Sequence, residues 1–125
     1  MSIYIAIAVG GSLGAMSRYW VSITTFKWLG LAFPYGTLMV NVLGSLLMGF
    51  LTVILLHRFH FDEAIRFGLL VGFLGSFTTF SAFAMEALYL LEIGAIAKAL
   101  SYMLISVLLC VLGAWAGLIA AKQII

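Results

Sequence analysis

Between Arg66 and Glu86 the chain has no charged residue, and the middle of that run reads Gly72-Phe-Leu-Gly75-Ser76-Phe-Thr78-Thr79-Phe80-Ser81-Ala82-Phe83. The run is long and apolar enough to cross a bilayer, yet its centre combines glycines with hydroxyl side chains in a pattern that breaks helices. Hydrocarbon offers no water to a freed backbone group, so a break at membrane depth has to be buried in protein or line a polar cavity. Membrane proteins hold ions at such breaks.

The rest of the chain fits the membrane setting. It is 66% hydrophobic and 8% charged over 125 residues, with a mean hydropathy of +1.28. A soluble domain of this size could not hide that much apolar surface. About 20 predominantly apolar residues span the hydrocarbon as a helix, and the few charges divide the chain into four such stretches. The expected fold is an all-α membrane protein forming a single domain over residues 1–125, with four transmembrane helices at about 3–26, 33–56, 64–91 and 96–121. The third is expected to break near 75–79. Met1 to Ile7 has neither the basic stretch nor the small-residue cleavage site of a signal peptide, so the first span is expected to be retained.

Basic residues near span ends set the direction of insertion. Arg58, Arg66 and Lys122 fall on the side of the N-terminus, whereas Lys27 and Lys98 fall on the other, with Arg18 leaning toward them from inside the first span. So small a bias permits insertion in both directions and an antiparallel homodimer. Gly113 and Gly117 have the Gly-x-x-x-Gly spacing that lets helices approach closely, either within one subunit or between two. Cys110, the one cysteine, lies inside the fourth span and reads as a small packing residue.

Polar groups at membrane depth are costly and face the protein interior. Asn41 shares a helix face with Thr37 and is either a donor to an ion path or an interhelical tie. Arg18 is either an anion-concentrating group at a cavity mouth or a clamp on helix-end carbonyls. At the third-span break, unwound carbonyls could hold a cation and free N–H groups an anion. Phe80 and Phe83 project from one face, and their ring edges, which are electropositive, can line an anion path. Glu86 follows them, as a carboxyl that is protonated, paired or hydrogen-bonded. Tyr102 and Ser106 share a face of the fourth span with Cys110, unless Ser106 bonds back to its own helix. His57 and His60 match no metal or nucleophile arrangement, so the chain does not read as an enzyme. A net charge of +2 gives no argument for nucleic acid.

Three motifs occur in order: Gly10-Gly11-x-x-Gly14-Ala15-x-x-Arg18-Tyr19, Gly36-Thr37-x-x-Val40-Asn41-x-x-Gly44, and Gly72-x-x-Gly75-x-x-Thr78-Thr79-Phe80-Ser81-x-Phe83. Together they closely resemble the Fluc (CrcB-type) fluoride channels of microbial inner membranes, over essentially the whole chain. The resemblance implies a dual-topology antiparallel homodimer with two pores. It would passively export fluoride across the bacterial inner (plasma) membrane and so confer fluoride resistance. It also implies pore roles for Phe80, Phe83 and Asn41, and a structural Na+ on backbone carbonyls of Gly75 and Thr78 from both subunits. Arg18 resembles the vestibule arginine, Tyr102 and Ser106 resemble vestibule-side hydroxyls, and Thr37, Ser81 and Glu86 resemble members of the polar lining. Ser76, Ala82 and Ala84 depart from the family pattern, which implies a stiffer break and a shortened polar track. A small multidrug exporter and a non-transporting assembly subunit are the alternative readings; the first needs a carboxylate in the first span, where this chain has only Arg18.

Overall fold

The computed structural model describes residues 2–58 and 60–125, without the Arg58 side chain. Met1, which heads the segment judged above for signal character, and the Arg58 side chain of the charge count lie outside the described residues. The described chain is helical, with no strand among those residues. Helix α1 runs Ile3–Leu29 and α2 runs Tyr35–Val53, continuing as a π-helical turn over Ile54–Arg58. The third segment is α3 (Glu63–Phe67), a π-helical stretch Gly68–Leu74, the single turn α4 (Gly75–Phe77), and α5 (Phe80–Glu92). Helix α6 runs Ile96–Ile124.

Three of these helical segments are long and apolar enough to cross a membrane: Tyr35–His57, Glu63–Glu92 and Ile96–Ile124. Helix α1 matches them in length at 27 residues. Arg18, its serines and its glycines leave it more polar than the other three.

Turn chemistry sets the ends. Gly30 and Gly94 are the residues with positive φ, both +79°, a conformation glycine adopts without steric cost. After α5 the chain closes in a Schellman arrangement: Ala95 N–H donates to Leu90 O at 2.9 Å and Gly94 N–H to Leu91 O at 3.1 Å. These bonds satisfy carbonyls that the helix end would otherwise leave open.

Glycine contacts bring the helices together. An added Cβ at Gly10 would strike the Gly68 carbonyl and one at Gly14 the Phe73 carbonyl, so α1 lies directly on the π-helical stretch. Likewise Gly117 of α6 lies against the Leu46 carbonyl of α2, and Gly49 of α2 against the Ala114 carbonyl of α6. The Gly-x-x-x-Gly spacing of α6 therefore serves contact within one subunit. Where α5 and α6 meet, Leu90, Ala99 and Tyr102 form a buried cluster, with Phe33, Phe83, Ala95 and Met103 packed around it.

This packing leads to a paired expectation. Gly117→Ala should lower stability by about 1–3 kcal/mol, the usual cost of overpacking, because its new methyl meets backbone that cannot yield. Gly113→Ala should cost clearly less, since the nearest atom there, the Val42 carbonyl, lies at 3.4 Å. Thermal unfolding of both variants in detergent checks the contrast.

Candidate functional site

The break in the third segment is local and fully accounted for. Thr78 (φ −81°, ψ 157°) and Thr79 (φ −149°, ψ 123°) are extended, which ends α4 and starts α5. Thr79 caps α5: its Oγ1 accepts from Ala82 N–H at 3.2 Å, in the usual role of an N-cap threonine. The Thr78 hydroxyl donates back to Leu74 O at 3.0 Å.

Asn41 of α2 closes the gap. Its Nδ2 donates to Thr79 O at 2.9 Å and its Oδ1 accepts from Thr79 N–H at 2.8 Å. One side-chain amide thus satisfies both backbone groups of the residue at the break, which membrane burial would otherwise leave open. The Nδ2 group has a second N–H, since an amide nitrogen carries two. The interhelical tie and the path-facing donor, alternatives in the sequence, are therefore compatible.

Two cavities flank the break, and Thr79 lines both. One is an open groove of about 360 Å³ between α2, α5 and α6, into which Asn41, Phe80, Phe83 and Ser106 look. The other, about 470 Å³, lies toward α1 and holds Arg18, Thr37 and Glu86. Arg18 approaches the Thr78 carbonyl with Nη1 at 3.5 Å, so the guanidinium both lines this second cavity and touches a helix-end carbonyl. Ser81 and Gly75 line neither cavity. Ser81 is exposed, with its hydroxyl 3.4 Å from that of Thr79.

Glu86 joins three helices. The Thr37 hydroxyl donates to its Oε1 at 2.6 Å and the Tyr102 hydroxyl to its Oε2 at 2.8 Å. The structure makes it a hydrogen-bonded carboxyl. Tyr102 is fully buried and continues a line of rings: Phe80 and Phe83 lie 5.4 Å apart between centroids, Phe83 and Tyr102 5.1 Å, and Tyr102 and Phe33 5.4 Å, all tilted. Tilted pairs set electropositive edges against electron-rich faces.

Ser106 differs from the other hydroxyls. It is 6% exposed and its Oγ has no hydrogen-bond partner, so the expected alternative of back-bonding to its own helix is not what the side chain does. An unpaired buried hydroxyl costs about 1–3 kcal/mol, and Ser106 is one of the residues lining the groove. Phe80 is 80% exposed on the open side.

The resemblance implies a small cation on the Gly75 and Thr78 carbonyls, and the Thr78 carbonyl already has the Arg18 guanidinium at 3.5 Å. The Thr79 N–H, which an unbroken helix would direct to the Gly75 carbonyl, is taken by Asn41, and Gly75 is exposed. One chain presents carbonyls here without enclosing a cation. Among the described residues no group of three or more His, Cys, Asp or Glu could hold a metal.

Reasoning from sequence passed over Thr79, which caps α5, bonds Asn41 and separates the cavities. The signal was present: a threonine directly before an apolar helical run is an N-cap pattern. Ser45, Met48 and Cys110 also line the groove, and only Cys110 had been placed on the face that does so.

Together these features define a multi-pass helical membrane protein built around a broken span. The model of the family described as CrcB-like protein, Camphor Resistance (CrcB), matches residues 5–118, and the chain belongs to this family. Curated relatives named fluoride-specific ion channel FluC are similar to it. One from Methylococcus capsulatus is 49% identical over 119 residues, which is 95% of this chain and 52% of the relative. One from Magnetococcus marinus is 49% identical over 118 residues, 94% and 96% of the two chains. One from Legionella pneumophila strain Paris is 52% identical over 103 residues, 82% and 77%. The chain thus spans about half of the Methylococcus relative, 52%, and most of the other two.

The Asn41 bridge carries an expected outcome. Asn41→Ala strands the Thr79 amide and carbonyl, each at a cost of about 1–3 kcal/mol. Hydrogen exchange at the Thr79 amide should then speed up about tenfold or more, since 1.4 kcal/mol is a factor of ten. Exchange measured by mass spectrometry on the Thr79 peptide reads this directly, with Leu90 amide exchange as the unchanged internal reference.

Proposed function

We propose that the protein is a fluoride-selective channel of the bacterial inner membrane, working as an antiparallel homodimer of four-span chains with two conduits, and not an enzyme. The observation that carries this reading is the groove. It pairs the phenylalanine rings with a buried, unpartnered Ser106 hydroxyl, and it lies open on one side with Phe80 80% exposed. A break at membrane depth has to be covered by protein. The near-balance of Lys and Arg across the membrane makes a second, inverted copy the natural cover. The names of the relatives supply the anion.

Fluoride is small and strongly hydrated. A path for it has to replace its water with close donors that do not hold it too tightly to leave. Arg18 concentrates anions in the cavity toward α1. Thr79 and Asn41 lead past the break, and the edges of Phe80 and Phe83 with the Ser106 hydroxyl carry the ion along the groove. Thr37, Glu86, Tyr102 and Ser81 form the polar lining beside this track. The Glu86 carboxylate, already accepting from two hydroxyls, orients Thr37 and Tyr102. A structural Na+ on the Gly75 and Thr78 carbonyls of both copies would supply positive charge at the seam and tie the two breaks together; its coordination needs the second chain. Escape of fluoride along its gradient relieves a cytoplasm into which it enters as the neutral weak acid.

Liposomes containing the protein should release fluoride far faster than chloride, as followed with ion-selective electrodes; equal rates would end the selectivity claim. Phe80→Ile and Asn41→Asp should each cut fluoride efflux about tenfold or more, the effect of about 1.4 kcal/mol on a barrier, while both variants still elute as dimers. Dual topology has its own test in native membranes. An impermeant amine reagent should label Lys98 to a similar degree in right-side-out and inverted vesicles, and labelling confined to one kind would refute inverted pairing.

A further inference from the structure

Where the second and third segments meet, a further cavity lies outside the proposed fluoride path. It measures about 220 Å³ and is lined by Leu55, Leu56, His57, His60, Phe61 and Arg66. The π-helical turn Ile54–Arg58 supplies Leu55, Leu56 and His57, and the last turn of α3 supplies Arg66. Every polar side chain in this set donates: a guanidinium does nothing else, and an imidazole offers at least one N–H in either charge state. No carboxylate is among the lining residues; Asp62, four residues before Arg66, lines a different cavity against α1. Arg66 is half-buried, and its Nε is enclosed with no hydrogen-bond partner among the described residues. A charge partly withdrawn from water is costly without a counter-charge, and an anion in the cavity, met by the outer Nη groups, would lower that cost.

Depth identifies the anion. The two apolar segments beside this loop end at His57 and begin at Glu63, which puts the cavity at the level where headgroups meet hydrocarbon. Leu56 and Phe61 are exposed in the same wall as the donors, so a ligand with both a charged and an apolar part fits best. We propose that this cavity binds the phosphate of an anionic phospholipid. Arg66 pairs with the phosphate oxygens, His57 and His60 donate to them, and Leu56 and Phe61 lie against the start of the acyl chains. Guanidinium and phosphate match as a two-pronged pair, and basic pockets beside spanning helices hold anionic headgroups in this way. A free phosphate ion would meet the same donors and gain nothing from the leucine and the phenylalanine. The site belongs to each chain by itself, so it depends on neither fluoride conduction nor pairing.

The test uses the full-length protein in detergent, titrated with phosphatidylglycerol or phosphatidylcholine and read by native mass spectrometry. Expected is one phosphatidylglycerol retained per chain, with phosphatidylcholine held about tenfold more weakly, the factor that 1.4 kcal/mol gives. Arg66→Gln, and His57→Gln combined with His60→Gln, should each weaken phosphatidylglycerol about tenfold by the same relation. Lys122→Gln, which removes a cation outside the cavity, should leave its retention unchanged. The histidine variant, altered only at exposed positions, decides the matter if Arg66→Gln does not fold. Equal retention of the two lipids, or equal weakening in the cavity variants and Lys122→Gln, overturns the site. Displacement of phosphatidylglycerol by inorganic phosphate assigns the donors to the free ion and overturns the lipid.

Discussion

The bidentate bridge from the Asn41 amide to the backbone of Thr79, at 2.9 and 2.8 Å, is what lets this chain be broken in the middle of an apolar segment. Two extended residues at such depth free a donor and an acceptor that lipid cannot satisfy. With Asn41 in place the break becomes a defined structure, further fixed by the Thr79 cap on Ala82. Everything near the site then follows in position: Phe80 and Phe83 begin a helix whose start is pinned, and Thr79 stands as the partition between two cavities. Asn41 itself is held because α2 and α6 meet through glycine on backbone, at Gly49 and Gly117.

Several polar side chains near the break are already engaged. Thr37 and Tyr102 both donate to Glu86, Thr78 donates to Leu74, and Asn41 is engaged with Thr79. These bonds make a rigid frame, since each buried group has its partner and removal of either would leave the other costly. The Ser106 Oγ is buried without a partner. On the proposed channel reading, a buried hydroxyl without a fixed partner is one that can offer an anion a weak, transient contact.

Much of this was legible from the residues, and the rest was not for identifiable reasons. The helical class and the place of the break follow from composition and from Gly75-Ser76-Phe77-Thr78-Thr79, because backbone needs in lipid leave so few alternatives. The partner of Asn41 could not be read, since Thr79 lies 38 positions away and only tertiary packing joins them. The state of Ser106 was likewise hidden: a helical serine bonds to its own turn by default, and its failure to do so depends on what stands opposite. The spacing of Gly113 and Gly117 announces close approach without naming the neighbour, which proves to be α2 of the same chain.

That last result bears on assembly. If the glycine seam of α6 is consumed within the subunit, the surface left for a second copy is the open side of the groove and the outer face of the break, where Gly75, Phe80 and Ser81 are exposed. This surface is poor as a lipid contact, since it presents a hydroxyl and helix-end carbonyls to hydrocarbon. It suits an inverted copy, because a two-fold axis in the membrane plane near the break would set the Gly75 carbonyls of the two chains facing each other. Like dipole ends repel at close range, and in the proposed dimer a small cation between them would turn that repulsion into coordination. In the proposed dimer the cation would be a condition of pairing, and the groove would be half of a conduit whose other wall comes from the same surface of the partner.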